Sequence, residues 1–270
     1  MNQKVAIIGY GWVGKAMYKL FPDAVVYDKH QPTIEVLNEA TGESKQLKFS
    51  KEDVNSCGMA FIAVPTPNKK DGSLDCSIVE EVIKWCSCPL LIIRSTVQPG
   101  FCNEMSKKYS RNIVFQPEYL GETPSHPMLD PRTRQFVILG GEAKDRRKVI
   151  DLYTSVYNAN MTIRQVTCLE AEIIKLSENR AIAFKVAQCQ ELYDACEKAG
   201  VDYYTIRDAV YSDDPRFTLW FTFVFPEKRG FNSKCIPKDV YGWCAWAESV
   251  GYEPELTKAM LKANNKYLKA

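Results

Sequence analysis

Two groups of residues in this chain of 270 have the types and spacing to do chemistry. The first is Gly9-Tyr10-Gly11-Trp12-Val13-Gly14, a G-x-G-x-x-G run. It follows the apolar stretch Val5-Ala6-Ile7-Ile8 and opens a helical pattern, the context such a run needs to bind a dinucleotide. The first glycine permits a tight turn. The second lets a pyrophosphate approach the backbone, and the third lets helix and strand pack closely. Free N–H groups at the helix start then face the phosphates. Asp28 ends the next apolar stretch, where a carboxylate binds both ribose hydroxyls and repels a 2′-phosphate, so NAD is expected over NADP. The second group surrounds Cys235. Pro237 reads as a first-turn residue of a helix. That places the sulfur at the positive end of a helix dipole, near Lys234 and Lys238, and both effects favour the nucleophilic thiolate.

The elements that must position these groups are legible as alternation. Strands are expected at Val5 to Ile8, Ala24 to Tyr27, Ala60 to Val64, Leu90 to Ile93, Asn112 to Phe115 and Phe136 to Leu139. A helix is expected from Trp12 to Phe21, with Trp12, Val13, Ala16, Met17 and Leu20 on one side. Continuous apolar runs separated by helices predict parallel strands covered on both faces. The expected fold class is α/β: a Rossmann-like doubly wound parallel sheet over residues 1–166, then an all-α domain over 167–270. Thr167-Cys168-Leu169-Glu170 matches a capping box. A helical pattern follows from Glu170 to Ala199, and Gly200 ends it. About 30 residues at about 1.5 Å each make roughly 45 Å, a length that suits a connector between domains or a dimer spine. Further helices are expected at Tyr203 to Tyr211, Lys238 to Val250 and Glu255 to Lys269. The aromatic stretch 217–225, FTLWFTFVF, reads as core or interface packing, with substrate-pocket lining as the alternative.

Composition removes several classes. Lys+Arg 35 against Asp+Glu 33 leaves a net charge of +2, without the basic excess of a nucleic-acid binder. No apolar run reaches the roughly 18 residues of a membrane span. The N-terminus lacks a signal-peptide pattern, so a cytoplasmic location is expected, with the 10 cysteines reduced. None of them forms Cys-x-x-Cys; Cys86 and Cys88 are one residue closer, and no metal site is expected. His30 and His126, the 2 histidines, offer little to a histidine-based triad.

Several further motifs occur in order: Val64-Pro65-Thr66-Pro67, Ser95-Thr96-Val97-Gln98-Pro99-Gly100, Pro117-Glu118-Tyr119-Leu120-Gly121-Glu122, Lys175 and Asn179, Asp214-Pro215-Arg216, and Gly230-Phe231 through Cys235 to Lys238-Asp239. With the glycine run they make the sequence resemble the UDP-glucose/GDP-mannose dehydrogenase family along nearly its whole length. The resemblance implies oxidation of the C6 alcohol of a nucleotide sugar to a carboxylate, with two NAD consumed. Cys235 would form first a thiohemiacetal and then a thioester that water releases. Glu118 would do acid–base work, best served by a carboxyl whose pKa burial raises toward working pH. Lys175 would stabilise oxyanions, with Asn179 one turn away on the same helical face. Thr96 and Asp239 would orient water, lysine and cysteine. The implied cofactor contacts are Gly9, Gly11, Trp12, Val13, Gly14, Asp28, Val64, Thr66, Ser95, Thr96, Glu122 and Lys238. The implied substrate contacts are Glu118, Tyr119, Leu120, Lys175, Asn179, Gly230 and Phe231, with Arg216 reaching the substrate of a neighbouring subunit. The long helix then implies a homodimer.

The sequence departs from the family pattern at two places. Asn232 and Ser233 stand where the family usually has Gly-Gly, which tolerates unusual dihedrals more freely. Family members also usually continue into a second Rossmann-like domain that holds much of the substrate nucleotide, and the resemblance here is to a form lacking it. Two other readings follow. One is a relative that keeps the fold and NAD and has lost turnover. The other is a two-domain β-hydroxyacid dehydrogenase with a catalytic helix lysine, which leaves Cys235 and the Glu118 motif unexplained.

Overall fold

A computed structural model of the chain describes residues 4–37, 44–121, 130–133, 136–157 and 161–269. By internal contacts it divides into two units, residues 1–67 with 75–175, and residues 68–74 with 176–270. In the first unit the elements run β1 (Val5–Ile8), α1 (Trp12–Leu20), β2 (Val25–Tyr27), β3 (Ile34–Leu37), β4 (Ser44–Leu47), α2 (Lys51–Asn55), β5 (Met59–Ile62), α3 (Ser77–Trp85), β6 (Leu90–Ile93), α4 (Phe101–Tyr109), β7 (Ile113–Phe115), β8 (Phe136–Gly140), α5 (Ala143–Tyr153) and β9 (Thr162–Val166). Every residue of β1, β5, β6 and β7 is buried, as strands covered on both faces require. The sheet order is β2-β1-β5-β6-β7-β8-β9. Strand order reverses at β1, which pairs in parallel with β2 on one side and β5 on the other. Open α/β sheets bind ligands beyond the carboxyl end of the strands at such a switch point, and here that end leads directly into Gly9.

The mixed Rossmann-like architecture is as expected, with three local differences. β8 pairs antiparallel with β7, through Phe115 and Gly140. A buried apolar run reads the same in either direction, so direction was not encoded in the pattern. β9 is a largely exposed edge strand, TIRQV, with no apolar run to announce it. β3 and β4 form a separate antiparallel hairpin. On α1 the buried residues are Gly14, Ala16, Met17 and Leu20, while Trp12 is 48% exposed and lies off that face.

The helix α6 (Cys168–Ala199) spans 32 residues, and the division between units falls within it, after Lys175. Its capping box forms as expected. Thr167 N–H donates to Glu170 Oε2 at 2.7 Å, and Glu170 N–H donates to Thr167 Oγ1 at 3.3 Å. Gly200 takes φ +70°, the left-handed angle that ends a helix. In the second unit, α7 (Tyr203–Asp208) runs into a π-helical turn over Ala209–Asp213, and α8 (Ile236–Ser249) and α9 (Glu255–Tyr267) follow. Ala183 and Ala187 of α6 pack with Val240 and Cys244 of α8 and Met260 and Leu261 of α9. A short hairpin bridged between Asn68 and Leu74 belongs to this unit. Asn68 Nδ2 donates to the Lys238 carbonyl at 3.1 Å, and Leu74 fits against Gly242, where an added Cβ would lie 3.0 Å from Leu74 Cγ. The stretch 217–225 divides. Thr222 and Val224 are fully buried, whereas Phe217, Trp220, Phe223 and Phe225 are about half exposed. No helix among the described residues is long and apolar enough to cross a membrane.

Candidate active site

The glycine loop is built by steric exclusion at two positions and by open space at the third. Gly9 has φ +92°, and a Cβ there would overlap the Ala63 carbonyl. A Cβ on Gly14 would overlap the carbonyl oxygen of Gly9. Gly11 caps α1, and nothing lies within 4 Å of where its Cβ would be. That open place sits on the uncapped start of the helix, where free N–H groups and the helix dipole suit a pyrophosphate. Trp12 and Val13 follow as the first residues of α1. Asp28 braces the loop: its Oδ2 accepts from Tyr10 N–H at 2.8 Å, and its Oδ1 accepts from His30 N–H at 2.8 Å. The residues present therefore fit a dinucleotide.

On the same unit, the ends of β5 and β6 are tied by Ser95. Its hydroxyl accepts from Val64 N–H at 2.9 Å and donates to the Val64 carbonyl at 2.7 Å. Thr66 is buried and Thr96 half-buried beside this link. Glu118 is buried, and its Oε1 accepts from the N–H groups of Tyr119 at 2.7 Å and Leu120 at 3.0 Å. Its Oε2 accepts from Nη2 of Arg94, the residue that follows β6. This donor set favours carboxylate over carboxylic acid, whereas burial without donors would have favoured the acid. Lys175 is buried, with Nζ 5.2 Å from the centre of the Tyr119 ring. Glu172 accepts from Gly100 N–H at 2.6 Å and Cys102 N–H at 2.9 Å, so α6 holds the start of α4 and the loop bearing Ser95 and Thr96. Burial pushes the Glu172 carboxyl pKa up, against the lowering effect of those donors.

The second unit carries the cysteine. Nine of the ten cysteines are buried, and Cys235 is the half-buried one. It caps α8, with Pro237 in the first turn. Its carbonyl accepts from Asp239 N–H at 3.0 Å. Asp239, 1% exposed, accepts from Asn179 Nδ2 at 2.5 Å and from Lys238 Nζ at 2.7 Å. Asn232 and Ser233 carry no backbone strain, since the non-glycine residues with positive φ among the described residues are Ser110 and Phe221. Ser233 instead accepts from Ile236 N–H at 3.3 Å at the start of α8. Gly230 does take φ +69°, and Phe231 beside it is clamped by Asn264, which accepts from its N–H at 2.8 Å and donates to its carbonyl at 3.0 Å. Arg216 is exposed, its side chain 79% accessible and paired with Asp214 at 2.5 Å. It lines a pocket of about 580 Å³ with Arg180, Lys185, Tyr211 and Phe217.

Glu122 lies outside the described residues. Among the buried polar residues that escape sequence reasoning, Arg94, Glu172 and Asn264 hold parts of these sites. Arg94 is the one with a visible signal, a charge set directly against four apolar residues. Glu172 and Asn264 sit in ordinary helical patterns whose inward row shows only after folding.

Among known proteins, the UDP-glucose/GDP-mannose dehydrogenase family matches in two parts: its NAD binding domain over residues 3–159 and its central domain over residues 169–266. A UDP-glucose 6-dehydrogenase of Rickettsia bellii is 27% identical over 236 residues, covering 82% of this chain and 53% of that protein. One from Rickettsia typhi is 28% identical over 238 residues, with the same coverage of both chains. The chain thus spans about half the length of these curated relatives. The fold matches a UDP-glucose dehydrogenase of Pyrobaculum islandicum with a TM-score of 0.82 and 23% identity, over 98% of this chain and 68% of that one.

Proposed function

Because the chain belongs to the UDP-glucose/GDP-mannose dehydrogenase family and carries its NAD-binding domain, we propose that it oxidises the C6 alcohol of a nucleotide sugar of the UDP-glucose type to the uronic acid. NAD, when bound, supplies the hydride acceptor for both oxidations. Gly9, Gly11 and Gly14 with the start of α1 hold its pyrophosphate, and Asp28 takes the ribose hydroxyls. Val64, Thr66, Ser95, Thr96 and Lys238 complete the cofactor contacts in this reading, with Glu122 among them.

The observation that carries the proposal is the setting of Cys235. It is the half-buried cysteine among ten, at the head of a 14-residue helix, above a buried Asp239 that Asn179 and Lys238 hold. The helix head favours the thiolate. Cys235 Sγ adds to the aldehyde left by the first oxidation, giving a thiohemiacetal whose oxidation leaves a thioester. Lys175 offers its ammonium to the oxyanion at the sugar carbon. Glu118 takes a proton from water, the hydroxyl adds to the thioester carbon, and the Cys235 thiolate leaves. In this reading Tyr119 and Leu120 of the first unit, and Asn179, Gly230 and Phe231 of the second, are further substrate contacts. The exposed Arg216, anchored by Asp214, belongs in this reading to a homodimer formed through α6, in which it reaches the partner's substrate.

Incubation with NAD and a panel of UDP- and GDP-sugars, with NADH and acid both quantified, tests the proposal. The expected result is acid formation from at least one nucleotide sugar. NAD binding with no turnover of any sugar overturns it in favour of a relative that has lost catalysis.

A further inference from the structure

We propose that Arg94 is a positioning residue for the hydrolytic half of this reaction, holding Glu118 as a fixed carboxylate that takes the proton from water. The inference rests on the dehydrogenase reading above and adds a residue that neither the motifs nor that reading assigned.

Arg94 stands where the sheet calls for an apolar residue. It follows four buried residues of β6, and its side chain is fully buried. Its Nη2 donates to Glu118 Oε2, yet Nε and Nη1 are buried and meet no acceptor among the described residues. Burying a guanidinium with two donors unmet works against stability. An apolar side chain of similar length would fill the same space without that cost. Stability therefore does not account for an arginine here, and its effect falls on the group it touches.

That group is held on both sides. Arg94 binds one carboxylate oxygen, and the N–H groups of Tyr119 and Leu120 bind the other at 2.7 and 3.0 Å. All three donors favour the anion, and the arginine bond fixes where the oxygens point. Lys175, with Nζ 5.2 Å from the neighbouring Tyr119 ring, is a second cation near this loop. Held in this way, Glu118 need not reorient before it takes the proton from water, and placement of that kind contributes strongly to rate. Loss of Arg94 should therefore slow hydrolysis of the Cys235 thioester and leave the binding of sugar and NAD largely alone.

The test compares the wild type with Arg94→Met and Arg94→Lys. For Arg94→Met the expected result is a kcat about tenfold or more lower with kcat/KM for the sugar within about twofold, so that KM falls with kcat, as slowing a step after acylation requires. Acyl-enzyme on Cys235 should build up in samples quenched during turnover, and Arg94→Lys should recover part of kcat. A second readout needs no turnover: ¹³C NMR of the Glu118 carboxyl, assigned with Glu118→Gln, should titrate at higher pH in Arg94→Met than in wild type. A kcat loss without acyl-enzyme, or an unmoved Glu118 titration, overturns the proposal even when melting temperature falls. If Arg94→Met does not fold, Arg94→Lys decides, with partial acyl-enzyme accumulation at unchanged melting temperature expected. A wild type that turns over no sugar overturns the dehydrogenase reading instead, and the NMR titration still decides whether Arg94 holds Glu118.

Discussion

Asn179 donates its side-chain N–H to Asp239 at 2.5 Å, so α6 grips the first turn of α8 just below the cap residue Cys235. The other Asp239 oxygen takes Lys238, and its own N–H returns to the Cys235 carbonyl. Asp239→Asn should face Asn179 with a second amide and leave Lys238 without its carboxylate. We expect a stability loss of about 2–4 kcal/mol, the range for breaking a buried charged hydrogen-bond set. Urea denaturation followed by fluorescence of Trp243 and Trp246 on α8 measures it. An unchanged midpoint would mean that the cluster does not hold the helix start.

The glycine loop predicts opposite outcomes for two alanines. Gly14→Ala must overlap the Gly9 carbonyl and should destabilise the protein by about 1–3 kcal/mol or more, through overpacking of backbone on backbone. Gly11→Ala has open space around its methyl group and should fold with the wild-type midpoint. Its methyl would occupy the pyrophosphate's approach, so NAD affinity should fall by about tenfold or more, roughly 1.4 kcal/mol. Calorimetric titration of NAD beside thermal melts separates the two. Tight NAD binding by a well-folded Gly11→Ala protein would move the cofactor off this helix.

In the proposed reading Asp28 sets the cofactor choice. Its carboxylate already meets the loop at Tyr10 N–H, and a 2′-phosphate would bring like charge to it. NAD should bind at least several-fold more tightly than NADP, and Asp28→Ser should narrow the gap mainly by improving NADP. Equal wild-type affinities would remove Asp28 from this role.

The parts of the fold legible in the sequence were those whose burial is complete. β1, β5 and β6 are uniform apolar runs, and the Thr167–Glu170 box and Gly200 bound α6 because capping chemistry is local. What was not legible depends on partners distant in sequence. The direction of β8 follows from its neighbour, and β9 is exposed enough to carry polar residues. At the site, the motifs pointed to Cys235, Asp239 and Asn179, and the hydrogen bonds linking them lie within one unit. The partner of Glu118 was hidden, because Arg94 stands 24 residues away and only the pairing of β6 with β7 brings their strand ends side by side.

Glu80 predicts an acid limb of stability. Hydrogen bonds from Tyr109, at 2.5 Å, and from Lys108, at 3.0 Å, lower its carboxyl to about 2 from an ordinary 4.5. A carboxyl depressed in the folded state stabilises above its unfolded value and loses that contribution as pH falls through the folded one. The stability gap between wild type and Glu80→Gln should therefore be full above pH 4.5 and close as pH approaches about 2. Urea midpoints across that window check it. A gap that stays constant with pH would mean the bonds to Tyr109 and Lys108 do not discriminate charge.

The covalent role of Cys235 is the center of the account, and intact-mass and peptide mass spectrometry during turnover, with NADH and acid counted in the same samples, tests it most directly. Wild type should release two NADH per acid and show a sugar acyl adduct on the peptide bearing Cys235. Cys235→Ser should bind NAD normally, form no thioester and release no acid, with at most a trace of the first oxidation. Full acid production by Cys235→Ser, or one NADH per product from wild type, would contradict the account.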